Sequence, residues 1–365
     1  MESGNCPEYF GIEDGAYMNV IHDFMKISLY SGMREDLVQA GGGNTSGKVS
    51  NEEMYIKASG CQLSEVSETD GWCKVNPKII VDYFSKDNPE ITQDAEKELI
   101  SKCLISGNRP SIEVFLHSIT QKYTLHTHPT VVNILASTEN GWEVLKKLFP
   151  DALFVKYATP GIKLAAEYFK AFKAFGKMPE IIFLQNHGLV VSGDSAEFVK
   201  EKTESVLYAI EKNLGLDMER YHIATKIYDV SSKVPELKNK IVFLSQHQDV
   251  LKGMKTFGSN LWEYQFCPDC LVYCGKKVLV LKDDFTESDF SSHIASYGNP
   301  VIISYKNNAY ILAVNVKKAK DIESVLAFSA QIAISNKNSS INKLSDCEQN
   351  FLLNWDAEKY RQSVK

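Results

Sequence analysis

No stretch of these 365 residues reaches the roughly 18 uninterrupted apolar residues that a membrane span requires. The opening residues Met1-Glu2-Ser3-Gly4-Asn5-Cys6-Pro7-Glu8 have neither a basic n-region nor an apolar h-region, so secretion is not expected. A disulfide framework is missing too. The eight cysteines are scattered through a chain too large to need staples, which reads as reduced thiols in a cytoplasm. Positive charge is short: 40 Lys and Arg against 46 Asp and Glu leave a formal charge of -6, which argues against a nucleic-acid partner. Repeats and low-complexity tracts are absent. What is present is 44% hydrophobic residues, ample for the core of one large domain or two ordinary ones.

The informative residues are histidines. In Leu125-His126-Thr127-His128-Pro129 two imidazoles stand two residues apart in an expected strand, where side chains at i and i+2 share a face and can turn toward one ion. A third stands in Glu180 to Val191, where apolar runs flank Asn186-His187-Gly188; this reads as strand, turn and strand projecting an imidazole from a tight corner. Three neutral imidazoles suit Zn²⁺ and leave a fourth position open, as catalytic zinc requires. His126, His128 and His187 are therefore the expected ligands of one zinc per chain.

Apolar positions at Tyr17, Val20, Ile21, Phe24 and Ile27 have a helical period from about Asp14 to Ser31, with Gly32 placed to stop it. A strand is expected from Met54 to Ser59, ending at Gly60. Helices are expected over Asp94 to Ser106, Ser111 to about Thr120, Ile162 to Phe175 and Ala196 to Leu214. Helices and strands mixed without a regular βαβ rhythm point to a layered α/β or α+β domain, not a dinucleotide-binding fold. A connection from about Tyr228 to Lys240 divides a region of residues 1–230 from an extension of residues 231–365. In the extension, strands are expected at Val278 to Leu281, Val301 to Tyr305 and Ala309 to Val314, then a helix from about Ala319 to Ser335.

Gly41-Gly42-Gly43-Asn44-Thr45-Ser46 fits neither a Walker A loop nor the dinucleotide fingerprint. It reads either as a flexible turn or as backbone amides crowding an anion, with Asn44, Thr45 and Ser46 adding side-chain donors. Lys57-Ala58-Ser59-Gly60 offers a hydroxyl, an amide and a cation at a strand end. In Arg109-Pro110-Ser111-Ile112-Glu113, Ser111 is expected to cap a helix with Glu113 in its first turn. A carboxylate beside a metal-held substrate is what proton abstraction next to a carbonyl demands. His117 shares the Glu113 face and is expected as a core or supporting residue. Cys267, Cys270 and Cys274 suggest a metal site but lack a fourth soft ligand.

Gly42-Gly43-Asn44-Thr45-Ser46, Lys57-Ala58-Ser59-Gly60, Pro110-Ser111-Ile112-Glu113, His126-Thr127-His128-Pro129 and Asn186-His187-Gly188, in this order, resemble the class II aldolase/adducin family over about residues 14 to 225. The wording is most similar to the rhamnulose-1-phosphate aldolase branch, often fused to a short-chain dehydrogenase that has no counterpart here. The tail is similar too, through Phe266-Cys267-Pro268-Asp269-Cys270 and Leu344 to Glu348, Trp355, Tyr360 and Arg361.

The resemblance implies an α/β/α sandwich around a mainly antiparallel sheet, and a homotetramer with interfacial sites. It implies zinc on His126, His128 and His187, Glu113 as acid/base, and Asn44, Ser59, Gly60 and Ser111 around a phosphate. The implied reaction is cleavage of a ketose 1-phosphate to dihydroxyacetone phosphate and an aldehyde, with a neighbouring subunit's tyrosine protonating the aldehyde oxygen. Phosphate-using members commonly carry a second Ser where this chain has Ile112, so one anion contact is lost. The alternatives are a sugar-phosphate epimerase, which resembles Asp where Glu113 stands, a dehydratase, or a non-catalytic adducin-like interaction protein.

Overall fold

The central strands of the larger sheet are made of residues that leave no room for water. Tyr123–Thr127 and Gly188–Gly193 are buried at every position, as expected of strands covered on both faces. The structure is a computed structural model that describes residues 13–263 and 265–354. The opening residues, Trp355, Tyr360 and Arg361 lie outside them. The chain divides into two compact units, the first ending at Asp217 and the second beginning at Met218.

The strands of the first unit are β1 (Asn44–Lys48), β2 (Met54–Lys57), β3 (Trp72–Val75), β4 (Leu104–Gly107), β5 (Tyr123–Thr127), β6 (Leu153–Val155), β7 (Ile181–Leu184) and β8 (Gly188–Gly193). They form one eight-stranded sheet in the order β4-β3-β2-β1-β5-β8-β7-β6. Every neighbouring pair is antiparallel except β6 with β7. Strand alternation on β1 identifies the two faces. Thr45 Oγ1 meets Ser28 Oγ of the helix Glu13–Gly32 at 2.5 Å, whereas Ser46 Oγ meets His117 Nδ1 of the helix Val114–Ser118 at 2.8 Å. Helices thus cover both sides of a mainly antiparallel sheet. The second layer buries an apolar cluster that includes Ile56, Phe84, Phe115, Tyr168 and Ile182.

Most helices stop and start where the sequence places them. Ala196–Leu214 begins after Ser195, whose side chain accepts from Phe198 N, and ends at left-handed Gly215. Two expectations need correction. Asp94 to Ser106 is a helix only over Gln93–Cys103, because the following residues pair with β3 as β4. Ser111 to Thr120 is helical only over Val114–Ser118, and Glu113, not Ser111, occupies the N-cap position. The cause is non-local: Pro110 bridges to Ala58 and Ser111 N donates to Lys57 O, which holds residues 110–111 extended.

The second unit contains β9 (Ile241–Leu244), β10 (Leu279–Val280), β11 (Ile302–Tyr305) and β12 (Asn308–Ala313), in the order β10-β11-β12-β9. The helices Gln248–Phe257 and Val316–Ser335 bury one side of it through Val250, Met254, Ile322, Leu326 and Ala330. The helix Glu219–Ser231 packs on β9 in this unit, although the sequence reading ran the first region on to residue 230. Among the described residues no helix is long and apolar enough to cross a membrane.

Candidate active site

Three backbone arrangements bring the imidazoles together. His126 lies in β5, in register with Asn44 on one side and Val190 on the other. His128 follows the strand end, and its N–H donates to Leu37 O at 2.9 Å while Thr130 N donates to Asp36 O at 2.9 Å. His187 stands in the β7–β8 turn, where Asn186 takes a positive φ of 53° and Asn133 Nδ2 donates to His187 O at 3.2 Å. Glycine is required against the His128 ring. A Cβ on Gly42 would lie 2.9 Å from His128 Nδ1, and one on Gly188 would lie 2.2 Å from Thr127 O and 3.1 Å from His128 Cδ2.

The three rings converge on their Nε2 atoms: His126 to His128 is 3.0 Å and His126 to His187 is 3.3 Å. His126 Nδ1 is 3.0 Å from Leu189 O, an atom that can only accept, so the ring proton belongs on Nδ1 and the Nε2 lone pair faces the cluster. Nitrogen acceptors this close repel unless a proton or a cation lies among them. Among the described residues this is the one group of three His, Cys, Asp or Glu placed to hold a metal ion. The donor set fits a divalent metal ion, and His126, His128 and His187 would hold it.

Glu113 faces the same point. Its Oε1 is 3.3 Å from His126 Nε2 and 3.1 Å from His187 Nε2, and its Oε2 accepts from Asn44 Nδ2. Burial favours the protonated acid, but the His126 and His187 imidazoles outweigh it and hold the carboxyl well below its usual range. Burial lowers His126, and the Glu113 carboxylate reverses this into a net rise. Burial, with His126 and His187 beside it, pushes His128 down to about 3. Glu113 is thus held as a carboxylate and His128 as a neutral imidazole, the protonation states that these two groups need beside a bound metal.

The expected anion-binding residues divide. Ser59 N donates to Arg109 O at 2.8 Å, so Ser59 and Gly60, both exposed, lie alongside the segment leading to Ser111. Ser111 Oγ accepts weakly from Glu113 N at 3.4 Å. Thr45 and Ser46 are fully buried with their hydroxyls engaged by Ser28 and His117, which takes those side chains out of the anion-binding set. Asn44 is committed to Glu113 through its amide, while its buried Oδ1 meets no partner among the described residues. His117 is a core residue as expected, fully buried and pushed down to about 3 by burial and by His126.

Sequence reasoning missed two supports, Asn133 and the Arg34–Asp36 pair behind His128, whereas Lys57, the cation expected at its strand end, turns its Nζ to Cys61 O at 2.6 Å. The buried Arg34-x-Asp36 pair was the one that carried a signal, as opposite charges two residues apart.

The profile of the Class II Aldolase and Adducin N-terminal domain matches residues 25–214. A Bacillus subtilis (strain 168) protein named as an uncharacterized oxidoreductase, YuxG, is 24% identical over 265 residues, 64% of this chain and 38% of the relative, so this chain spans well under half of that relative's length. Two solved structures are similar. The N-terminal class II aldolase domain of a conserved Thermoplasma acidophilum protein has a TM-score of 0.47 at 22% identity, covering 58% of this chain and 97% of that one. The l-fuculose-1-phosphate aldolase of Thermus thermophilus has a TM-score of 0.36 at 14% identity, covering 54% and 95%. By the match of its residues 25–214, the chain belongs to the Class II Aldolase and Adducin N-terminal domain family.

Proposed function

We propose that the chain is a zinc-dependent aldehyde-lyase that cleaves, or in reverse forms, a ketose 1-phosphate from dihydroxyacetone phosphate and an aldehyde. The observation that carries this reading is the buried Glu113 carboxyl group, its Oε1 3.1 and 3.3 Å from two of three converging histidine nitrogens. Zinc held by His126, His128 and His187 would supply Lewis-acid stabilisation of the negative charge that develops on the substrate carbonyl oxygen.

The side chains divide the remaining work. Glu113 removes a proton from the carbon next to the carbonyl in condensation and returns it in cleavage, which general acid–base catalysis by a positioned carboxylate permits. Asn44 holds one Glu113 oxygen through its amide and leaves the other, Oε1, facing the histidines. Asn44 Oδ1, which meets no partner among the described residues, is an acceptor for a substrate hydroxyl. Ser59, Gly60 and Ser111 form the anion-binding rim. Ile112 does not replace the missing hydroxyl and packs instead on the apolar cluster beneath. This keeps the phosphate rim dependent on backbone amides.

The test is turnover by the zinc-loaded protein on a panel of ketose 1-phosphates and the matching free ketoses, read by release of dihydroxyacetone phosphate or dihydroxyacetone. Turnover of phosphorylated substrates supports the proposal. A fully metal-loaded protein that turns over no member of the panel, and exchanges no dihydroxyacetone phosphate proton with solvent, is the adducin-like outcome and overturns it.

A further inference from the structure

Cys267 and Cys270 belong to the second unit, where Cys267 is the N-cap residue of the helix Pro268–Cys274 and Cys270 lies one turn along it. Their sulfurs are 3.2 Å apart. The environments of the two thiols differ. Cys267 is half-buried and open to a small reagent, whereas Cys270 is buried and its sulfur lies 3.0 Å from Ser329 Oγ of the helix Val316–Ser335. Cys274, on the next turn, is buried as well. These three thiols do not form a metal-holding group, because the histidine set is the one such group among the described residues.

We propose that Cys267 and Cys270 are a reversible dithiol–disulfide exchange site whose co-substrate is a low-molecular-weight disulfide. The contact distance puts each sulfur where the other can reach it, and residues i and i+3 at a helix start are close enough to close a disulfide ring. Exposure assigns the order of events. The Cys267 thiolate attacks the external disulfide, forms a mixed disulfide and releases one thiolate. Cys270 then gives up its proton and attacks the Cys267 sulfur, releasing the second thiolate. The balance is two protein thiols and one small disulfide converted into one protein disulfide and two small thiols.

Ser329 has a defined part in the second step. Burial pushes the Cys270 thiol up to about 11, and the hydrogen bond from the Ser329 hydroxyl opposes that by favouring the thiolate. Cys270, Cys274, Ser329 and Gln265 also line a cavity with room for about one water. Cys274 is kept out of the reaction because burial raises its thiol far above the ordinary range.

The experiment equilibrates the full chain with reduced and oxidised glutathione in varying ratio, quenches with acid, and counts alkylatable thiols by mass spectrometry after unfolding. The chain has eight cysteines, and the oxidised protein is expected to lose two thiols, mapped to Cys267 and Cys270, and to regain them with excess dithiol. Cys267→Ser should lose none. Cys270→Ser should stop at a glutathione adduct on Cys267, and Ser329→Ala should form the normal disulfide while accumulating that adduct on the way. The proposal is overturned if the wild type keeps eight thiols at every ratio, if either cysteine variant still loses two thiols to an internal disulfide, or if the missing thiols map to any other pair.

Discussion

Asn44 donates its side-chain amide to Glu113 Oε2, joining the first residue of β1 to the residue that starts the helix Val114–Ser118. Because Asn44 is in register with His126, the bond fixes the carboxylate against the histidine cluster from the strand side. It makes Asn44 a candidate for positioning the base more than for binding an anion. Asn44→Ala is expected to slow solvent exchange of the dihydroxyacetone phosphate proton by the equivalent of one charge-assisted hydrogen bond, about 1.5–3 kcal/mol. Paired kinetics on phosphorylated and free ketoses separate the roles: a rise in KM confined to the phosphorylated substrate, with exchange unaltered, would return Asn44 to the anion site.

Glu113→Gln keeps the size of the side chain and removes the base. Metal content should stay at the wild-type level, while proton exchange observed by NMR in heavy water falls by about 10²–10⁴. Unchanged exchange would take Glu113 out of the chemistry.

A His126→Ala and His128→Ala double variant should bind no metal, measured by elemental analysis on protein shown to be folded by circular dichroism. Retention of one metal per chain would place the ion elsewhere in the molecule.

The buried pair of Arg34 and Asp36 lies behind His128, since Asp36 O and Leu37 O accept from Thr130 N and His128 N on either side of Pro129. Arg34→Met leaves the Asp36 carboxylate buried without that cation, which is expected to cost about 3–5 kcal/mol in urea unfolding. Metal affinity should also fall by about 10–100-fold, as loss of support behind a ligand does. A variant that loses stability but binds metal with wild-type affinity would show that the pair does not position His128.

His117 gives a pH signature in the metal-free protein. Its folded value is pushed down to about 3 from an ordinary 6.5, first by burial and then by His126. Above pH 6.5 neither state takes up this proton; as the pH falls from 6.5 toward 3 the unfolded chain does and the folded chain does not. Stability is therefore lost on acidification, by about 1.4 kcal/mol per pH unit. His128 contributes with the same sign. The quantity to measure is the difference in slope between wild type and His117→Gln, and equal slopes would refute the assignment.

Local sequence specifies the residues of the site and the parity that orients some of them. His126 and His128 are two apart at the end of a strand, and His187 stands in an Asn-His-Gly corner whose local chemistry favours the observed turn. Their convergence needed the antiparallel pairing of β5 with β8, a contact between segments about sixty residues apart that no local pattern encodes. Thr45 and Ser46 illustrate the limit from the other side. A strand at β1 forces them onto opposite faces, but the sequence showed only a glycine-rich loop with hydroxyls, since β1 becomes a strand by pairing with β2 and β5. The same cause turned residues after Cys103 from helix to strand and moved the helix start from Ser111 to beyond Glu113. Backbone hydrogen bonds to distant segments, at β3 and at Lys57, outweighed the local helical signal.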